Sequence, residues 1–403
     1  MGGVLGVGVW GPLEVHAEGF AAMLAGRGYT VSSTRNQLRV LASLSRWLAA
    51  EEVSPDELDE GRVEAFLQFR RDRGYTCWLS PRGVAPLLSY LRSVGVVPEL
   101  VIVPPRGEVE LLLADYRSYL VNERGLVAST IGSYERFARS FLLERQERLG
   151  GLALETLTGA EVLEFVQREA PIRSVGVAKL LVTALRSLLR FLHVEGHVPV
   201  PLATVVPPVA GWRGGALPKA LDAEVVASLV ASCDRRRHTG RRDHAMLLLL
   251  VRLGLRAAEV AALQLDDLDW RAGELLVRGK QRHRDRLPLP ADVGASLAGY
   301  LHRGRPRVAH RAVFVQSRAP YAPAAASTVQ GAVAAACQRA GIARVGTHRL
   351  RHTAATQLLA SGASLPEVAQ VLRHREVATT AIYAKVDHAR LVTLAKPWPG
   401  SRP

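Results

Sequence analysis

The segment Met246-Leu-Leu-Leu-Leu-Val-Arg-Leu-Gly-Leu-Arg256-Ala-Ala-Glu259 defines the centre of the fold. Its first eight residues are apolar except Arg252, which predicts a helix that is buried on most of its sides. Gly254 ends this helix, because glycine adopts the backbone angles that close a helix at little steric cost. The helical pattern then restarts, with Arg256 in its first turn. We therefore expect Arg256 to point outward, toward a ligand, from a rigid apolar support.

Two short strand patterns come after this pair of helices. Glu274–Val277 and Arg286–Leu289 lie on either side of a polar loop, which predicts a β-hairpin. Lys280 falls at or near the tip of that hairpin. Lysine is scarce, because the chain holds 52 lysines and arginines in total but only five lysines. A lysine in this place is therefore a candidate functional residue.

Charged and aromatic residues gather again near the carboxyl end. Thr347-His348-Arg-Leu-Arg351-His352 opens a helix pattern that continues to Gly362. His348 and Arg351 are three residues apart, so they share a helix face and can converge on one small anion. A capping box, Ser364-Leu-Pro-Glu367, predicts a further helix that ends near His374. Tyr383 follows His374 by nine residues, in another helical stretch.

Each of these side chains, taken singly, has an ordinary explanation as a surface charge, a structural histidine or a packed tyrosine. Together they provide what attack on a phosphodiester requires without a metal: cations around the non-bridging oxygens, an acid for the leaving oxygen, and a nucleophile. The six candidate catalytic residues are Arg256, Lys280, His348, Arg351, His374 and Tyr383. We expect no metal and no other cofactor.

The first half of the chain contains an internal repeat. Ser33-Thr34 opens one helix pattern and Ser129-Thr130 opens another, 96 residues later. Leu87-Leu-Ser-Tyr-Leu91 recurs as Leu188-Leu-Arg-Phe-Leu192, 101 residues later. Residues that lie between these two matched segments repeat at a similar offset: Leu58, Val63, Phe66 and Gln68 recur as Leu157, Val162, Phe165 and Gln167. The sequence therefore predicts two copies of one small helical bundle.

The predicted fold class is mainly α, with two tandem helical modules before an α+β domain that contains a small antiparallel sheet. Segments near Pro104-Pro105 and within Pro207–Gly215 are rich in proline or glycine and lack helical periodicity. We therefore expect three domains, at residues 1–105, 106–205 and 206–403.

The chain is strongly basic, with a formal net charge of +15 and a pI near 10.4. This charge favours a polyanionic partner, because neutralising phosphates releases counterions. Arginine-rich codon usage would give the same excess, so charge alone leaves both explanations open. The polar helix faces of the two modules carry arginines that either contact DNA or are solvated, among them Arg35, Arg39, Arg136 and Arg139.

Several classes of protein are not indicated. The three cysteines, Cys77, Cys233 and Cys337, lie near no histidine at metal-ligand spacing, so neither a disulfide framework nor a zinc site is predicted. The longest apolar run, Met246–Val251, is far shorter than the roughly 20 residues that span a bilayer. The first residues do not resemble a secretion signal. We expect a cytoplasmic, nucleoid-associated protein with no membrane partner.

The order of the motifs resembles the signature of the tyrosine recombinases, the phage integrase family. Leu253-Gly-Leu-Arg256-Ala-Ala-Glu259 is similar to the first arginine box of that family, and Lys280 follows Arg256 by 24 residues. His348-Arg-Leu-Arg351-His352 is similar to the family's His-x-Leu-Arg-His motif, and the interval from His374 to Tyr383 also agrees. The resemblance covers about residues 217–396.

The resemblance implies a role for each candidate. Arg256 and Arg351 would hold the scissile phosphate and stabilise the transition state, because the planar guanidinium donates to two phosphate oxygens at once. Lys280 would protonate the departing 5′ oxygen, and His348 would accept the tyrosine proton. His374 would hydrogen-bond to the phosphate.

The resemblance implies that Tyr383 is the nucleophile and would form a 3′-phosphotyrosyl linkage. A second DNA end could then be joined at this linkage without ATP or a metal. The helical modules would be core-binding (SAM-like) domains, of which the first is an added copy. Double-stranded DNA would be the partner, with a homotetramer on two DNA sites and with other recombinases as partners. Glu259 and His352 are also family positions that would support their neighbours.

The chain departs from the family pattern at two positions. Arg373 stands where the family usually has glycine before its last histidine, and Gln281 stands where a glycine often follows the lysine. Neither departure removes a reacting group.

Alternative functions remain open on the sequence alone. A type IB topoisomerase uses a similar set of residues as a monomer, and a catalytically silent DNA-binding protein could descend from a recombinase. A structural helical protein would explain the repeat but not the ordered catalytic residues. Integration, excision, transposition and dimer resolution are not distinguished by the residues, and movement of a mobile element is our preferred context.

Overall fold

The computed structural model describes residues 4–99, 106–209, 220–279 and 284–373. The chain forms two compact units, of which one combines residues 1–100 with 214–403 and the other consists of residues 101–213. The chain is mainly helical and contains a small antiparallel sheet, which confirms the predicted fold class. Among the described helices, none has the length and apolar character to cross a membrane.

The described helices of the amino-terminal module are α1 (Ala17–Gly26), α2 (Val31–Ala50), α3 (Glu60–Asp72) and α4 (Pro81–Ser93). α2 forms the centre of this module, because Leu38, Leu41 and Leu48 are fully buried. The prediction that Ser33-Thr34 opens the helix was wrong by about half a turn. The helix begins at Val31, where the side chain of Thr30 accepts a hydrogen bond from the backbone N–H of Ser33.

The second module contains α5 (Glu108–Asn122), α6 (Ala128–Leu149), α7 (Gly159–Glu169) and α8 (Val175–Val194). Its core uses the positions that the repeat predicts. The matched pairs Val63 and Val162, Phe66 and Phe165, and Leu91 and Leu192 are all buried. Because the same pattern of apolar residues is buried in both copies, the duplicated helical module is confirmed.

The carboxyl-terminal region contains the sheet and the remaining helices. The helices are α9 (Ala223–Ala231), α10 (His238–Arg252), α11 (Ala257–Ala262), α12 (Ala291–Arg303), α13 (Ala326–Arg339), α14 (Thr347–Ala360) and α15 (Leu365–Leu372). The strands are β1 (Leu268–Asp269), β2 (Glu274–Arg278) and β3 (Arg284–Pro288), which pair antiparallel in the order β1-β2-β3.

The predicted hairpin is therefore present as β2 and β3, with Arg278 opposite Arg284. Lys280 belongs to the connection between these strands and lies outside the described residues. The two-residue strand β1 was not predicted, because two residues carry no measurable alternation of polar and apolar side chains.

α10 is the central helix of this region. It packs against α12, α13 and α14, and Met246, Leu249 and Leu250 are fully buried. Each such side chain contributes about 1.5–3 kcal/mol of burial free energy, so this helix is a rigid support for the turn and the helix after it. Gly254 closes that turn with a φ of +57°, and a Cβ atom there would lie only 2.5 Å from Cδ2 of Leu372. Glycine thus allows the end of α15 to approach this turn.

Several arginines of the second module hold the module together. Arg139 pairs with Glu110 across α5 and α6 at 2.7 Å. Arg145 is only 2% exposed on its side chain and donates to the carbonyl oxygens of Leu152 and Ala153, as well as to Glu161. These contacts fix the connection between α6 and α7, so Arg145 has a structural role.

We expect Arg145→Met to destabilise the connection between α6 and α7 by about 3 kcal/mol, because it leaves the carbonyl oxygens of Leu152 and Ala153 without their donor and removes one of the two arginines that pair with the partly buried Glu161. Arg148→Met is the matched control, since Arg148 also contacts Glu161 but is 45% exposed and should contribute less than about 1 kcal/mol. Hydrogen exchange of residues 150–161, followed by mass spectrometry, measures both free energies of local opening. Equal and small effects of the two substitutions would contradict the structural role of Arg145.

Candidate active site

Arg256 is the N-terminal cap of α11 and is restrained by one carboxylate. Its backbone N–H donates to Oε2 of Glu259 at 2.7 Å, and its Nη1 donates to Oε1 at 2.7 Å. The spacing of three residues at a helix start explains this double contact, which caps the helix and orients the guanidinium. The Arg256 side chain is nevertheless 48% exposed, so part of the guanidinium is accessible to an anion.

Arg351 lies in α14 and its side chain is buried, with the residue 2% exposed. Its Nη1 donates to the carbonyl oxygen of Gly254 at 2.6 Å, and its Nη2 donates to the carbonyl oxygen of Leu372. The turn after α10, helix α14 and the end of α15 are therefore joined through one guanidinium.

His348 and His352 form an edge-to-face pair one helical turn apart, with their ring centroids separated by 4.4 Å. The His348 ring reaches the surface, but the surrounding protein removes part of its hydration and the charges of Arg351 and Arg256 oppose protonation. Both effects lower the pKa of His348 below the usual value for histidine. Burial, His348 and Arg351 also lower the pKa of His352. The His348 ring is therefore neutral at pH 7 and can accept a proton.

A third arginine, Arg373, meets the same carboxylate as Arg256. Its Nη2 donates to Oε2 of Glu259 at 2.7 Å, and both side chains are almost completely buried. Burial alone would raise the pKa of Glu259, but the charge of Arg373 and the hydrogen bonds from Arg256 outweigh it and lower the pKa. The sequence did not predict this contact. Its only signal was that an arginine stands where the family pattern has glycine.

The base of the hairpin that carries Lys280 is held by a second buried carboxylate. Asp267 accepts hydrogen bonds from Nε and Nη2 of Arg278 at 3.0 and 2.7 Å, and it also accepts one from the backbone N–H of Gln264. Asp267 itself is buried. The last residue of β2 is thereby tied to the segment after α11. No local sequence pattern indicated this pair.

The structure brings three of the six candidates together, because the charges of Arg256 and Arg351 both act on the ring of His348. The other three candidates lie outside the described residues: Lys280, His374 and Tyr383. Within the described ranges, no cluster of three histidine, cysteine or acidic side chains could hold a metal ion. The described part of the site is a group of cations around one buried carboxylate, with a neutral histidine at its edge.

Comparison with known proteins identifies the family. Residues 219–390 match the sequence profile described as the phage integrase family. The integrase/recombinase y4rA of Sinorhizobium fredii is 40% identical over 394 residues, which cover 97% of this chain and 95% of the relative. The chain is a tyrosine recombinase of the phage integrase family. The tyrosine recombinase XerD of Mycobacterium tuberculosis is 34% identical to this recombinase over 314 residues, or 73% of the chain and 97% of the relative.

Solved structures show the same fold. A structure of the XerH site-specific recombinase bound to its palindromic difH substrate matches with a TM-score of 0.56 and 20% identity, and covers 71% of this chain and 84% of that one. A lambda integrase dimer bound to a core site matches with a TM-score of 0.53 and 17% identity, over 66% of this chain and 95% of that one.

The recombinase is therefore an enzyme of site-specific DNA recombination, which cleaves and rejoins DNA strands. The alternatives of a topoisomerase and of a silent DNA-binding protein are not favoured by these relatives.

The arrangement around His348 predicts the direction of a pKa change. Arg256→Met removes one of the positive charges that oppose protonation of the ring, so we expect the pKa of His348 to rise. An NMR titration of the histidine rings, assigned with His348→Gln, measures this change. Arg252→Met is the control, because Arg252 is exposed at the end of α10 and pairs with Asp292. An equal shift in both variants would mean that net charge, and not the local arrangement, sets the pKa.

Proposed function

We propose that this recombinase cleaves DNA by attack of Tyr383 on the scissile phosphate. The bond between the tyrosine oxygen and phosphorus forms while the bond from phosphorus to the 5′ oxygen breaks, which leaves a 3′-phosphotyrosyl linkage. His348 takes the phenolic proton and Lys280 gives a proton to the departing 5′ oxygen. The 5′ hydroxyl of a second DNA end then attacks phosphorus and releases the tyrosine, so the bond energy is conserved.

The convergence of Arg256, Arg351 and a neutral His348 is the observation that carries this proposal. The phosphorane transition state gathers negative charge on its non-bridging oxygens, and two guanidinium groups held by the fold stabilise that charge without reorganising. His374, which comes directly after Arg373 in the chain, is proposed to hydrogen-bond to the same phosphate.

Double-stranded DNA is the substrate in this proposal, and the formal net charge of +15 supports its binding. We propose a homotetramer when two DNA sites are brought together, with other recombinases as further partners. The fold is shared with a lambda integrase tetramer bound to a Holliday junction, which has a TM-score of 0.51 at 18% identity.

Three domains are proposed, at residues 1–105, 106–205 and 206–403. The three largest hydrophobic clusters among the described residues support this division, since they lie within residues 7–97, 109–206 and 221–350, and a small fourth cluster at 355–372 also falls in the last domain. The segments that join them, 100–105 and 210–219, lie outside the described residues.

Movement of a mobile element, by integration, excision or transposition, is the biological context that we propose, in the cytoplasm and at the nucleoid. The relative y4rA supports it, because its name combines integrase with recombinase and it matches 97% of the chain, including the duplicated module.

Tyr383 is tested by covalent trapping on a nicked suicide DNA substrate. We expect a protein–DNA product with the native chain and none with Tyr383→Phe, because phenylalanine keeps the ring but lacks the attacking oxygen. A denaturing gel of labelled DNA measures the product. As a control, Tyr383→Phe should retain the DNA affinity of the native chain. Absence of a covalent product from the native chain on its own recombination site would contradict the proposal.

The first helical module is tested through its exposed arginines. Arg39 and Arg46 are seven residues apart on α2, on the same exposed side. If this side lies on flanking DNA, replacing both with glutamine should weaken binding and reduce the slope of log K against log salt by about 0.9 for each lost phosphate contact. The rate of cleavage at saturating DNA should not change.

Arg92→Gln provides the matched control, because Arg92 lies on α4 of the same module and donates to the carbonyl oxygen of Pro98. Equal salt slopes for the native chain and for the double variant of Arg39 and Arg46 would contradict DNA binding by this side of α2.

A further inference from the structure

Arg373 occupies a position that is unfavourable for a long charged side chain. It is the C-terminal cap of α15, with φ +54° and ψ +49°, in the left-handed region where a Cβ atom is unfavourable relative to glycine. Its side chain is 7% exposed, and its Nε has no hydrogen-bond partner among the residues that the structure describes. A buried donor without a partner is destabilising, because it has lost its hydrogen bonds to water. An arginine here therefore needs a compensating interaction.

The compensating interaction is the contact with Glu259. The Arg373 side chain is anchored by its Nη1, which donates to the carbonyl oxygen of Val371 at 2.9 Å, and its Nη2 reaches the carboxylate. Glu259 is buried and also accepts from the backbone N–H and from Nη1 of Arg256. The three side chains thus form a row, in which a carboxylate lies between one buried and one half-exposed guanidinium.

The net charge of this row determines how strongly Arg256 attracts a phosphate. Arg256 and Glu259 alone form a neutral pair, and such a pair attracts a phosphate only weakly. With Arg373 the row has a net charge of +1, and the positive end that is exposed belongs to Arg256. Because Glu259 and Arg373 are buried, their electrostatic attraction is stronger than it would be in water.

We propose that Arg373 is a positioning residue for DNA cleavage: it neutralises Glu259 and thereby leaves the charge of Arg256 available to the scissile phosphate. The proposal rests on the function proposed above. The same turn is held from the other side, because Arg351 donates to the carbonyl oxygen of Leu372. The end of α15 therefore links the environments of both arginines.

The test is single-turnover cleavage of a suicide DNA substrate at saturating DNA, with affinity measured separately in the Tyr383→Phe background. We expect R373M to slow cleavage about tenfold or more, since the transition state carries more charge than the bound substrate. R373K keeps the charge and should recover part of the rate. Affinity should change little, because Arg256 contacts one phosphate among many.

R373G separates positioning from a purely structural role. Glycine relieves the left-handed backbone and removes the unpaired Nε, so we expect a folded protein that is slow in cleavage. If Arg373 only capped α15, R373G would cleave at the native rate. That result would overturn the proposal.

A double variant tests the route through Glu259. E259Q in the R373M background removes the carboxylate charge that Arg373 no longer neutralises, so we expect the double variant to cleave faster than R373M alone. E259Q alone completes the cycle. If the fold-change in cleavage rate of the double variant equals the product of the fold-changes of R373M and E259Q, the proposed route is overturned.

Failure of the proposed function gives a different result. The native chain would then form no Tyr383-dependent product, whereas failure of the Arg373 proposal leaves native cleavage intact. Thermal unfolding of the native chain, R373M, E259Q and the double variant measures the coupling free energy between Arg373 and Glu259 without an activity assay. Zero coupling in that cycle would overturn the proposal independently.

Discussion

The buried guanidinium of Arg351 is the interaction on which the site depends. It donates to the carbonyl oxygens of Gly254 and Leu372, which belong to the ends of two different helices. Buried carbonyl groups at helix ends need such a donor, because each would otherwise cost about 1–3 kcal/mol. Arg256 comes two residues after Gly254, and Arg373 comes directly after Leu372. One side chain therefore sets the separation of the other two arginines.

This arrangement places positive charge in the interior, which is stable only if a carboxylate accompanies it. Glu259 is that carboxylate, and its lowered pKa keeps it ionised well below neutral pH. Its contribution to stability is present above the pKa of an unfolded glutamate and is lost as the pH falls through the lower pKa of the folded state. Burial lowers the pKa of His348, and the charges of Arg351 and Arg256 lower it further because they oppose protonation of the ring.

Local features of the site could be predicted from the sequence, because each depends on residues close together in the chain. The turn at Gly254 is one such feature, and the capping box of Ser364 and Glu367 is another, which the structure confirms. The ion pair of Arg373 and Glu259 joins residues 114 apart, so no periodicity reports it. The roles of the candidate catalytic residues stay predictions.

The duplicated module shows why cores are more predictable than surfaces. Both copies bury the same apolar positions, because close packing tolerates little change in volume. Their polar faces differ. In the second copy Arg117 and Arg139 pair with glutamates across α5 and α6, whereas in the first copy Arg39 donates to Asn36, on its own helix. Arginines that hold two helices together have less freedom to meet a phosphate, so the two copies differ in the charge that they can present to DNA even though they share one fold.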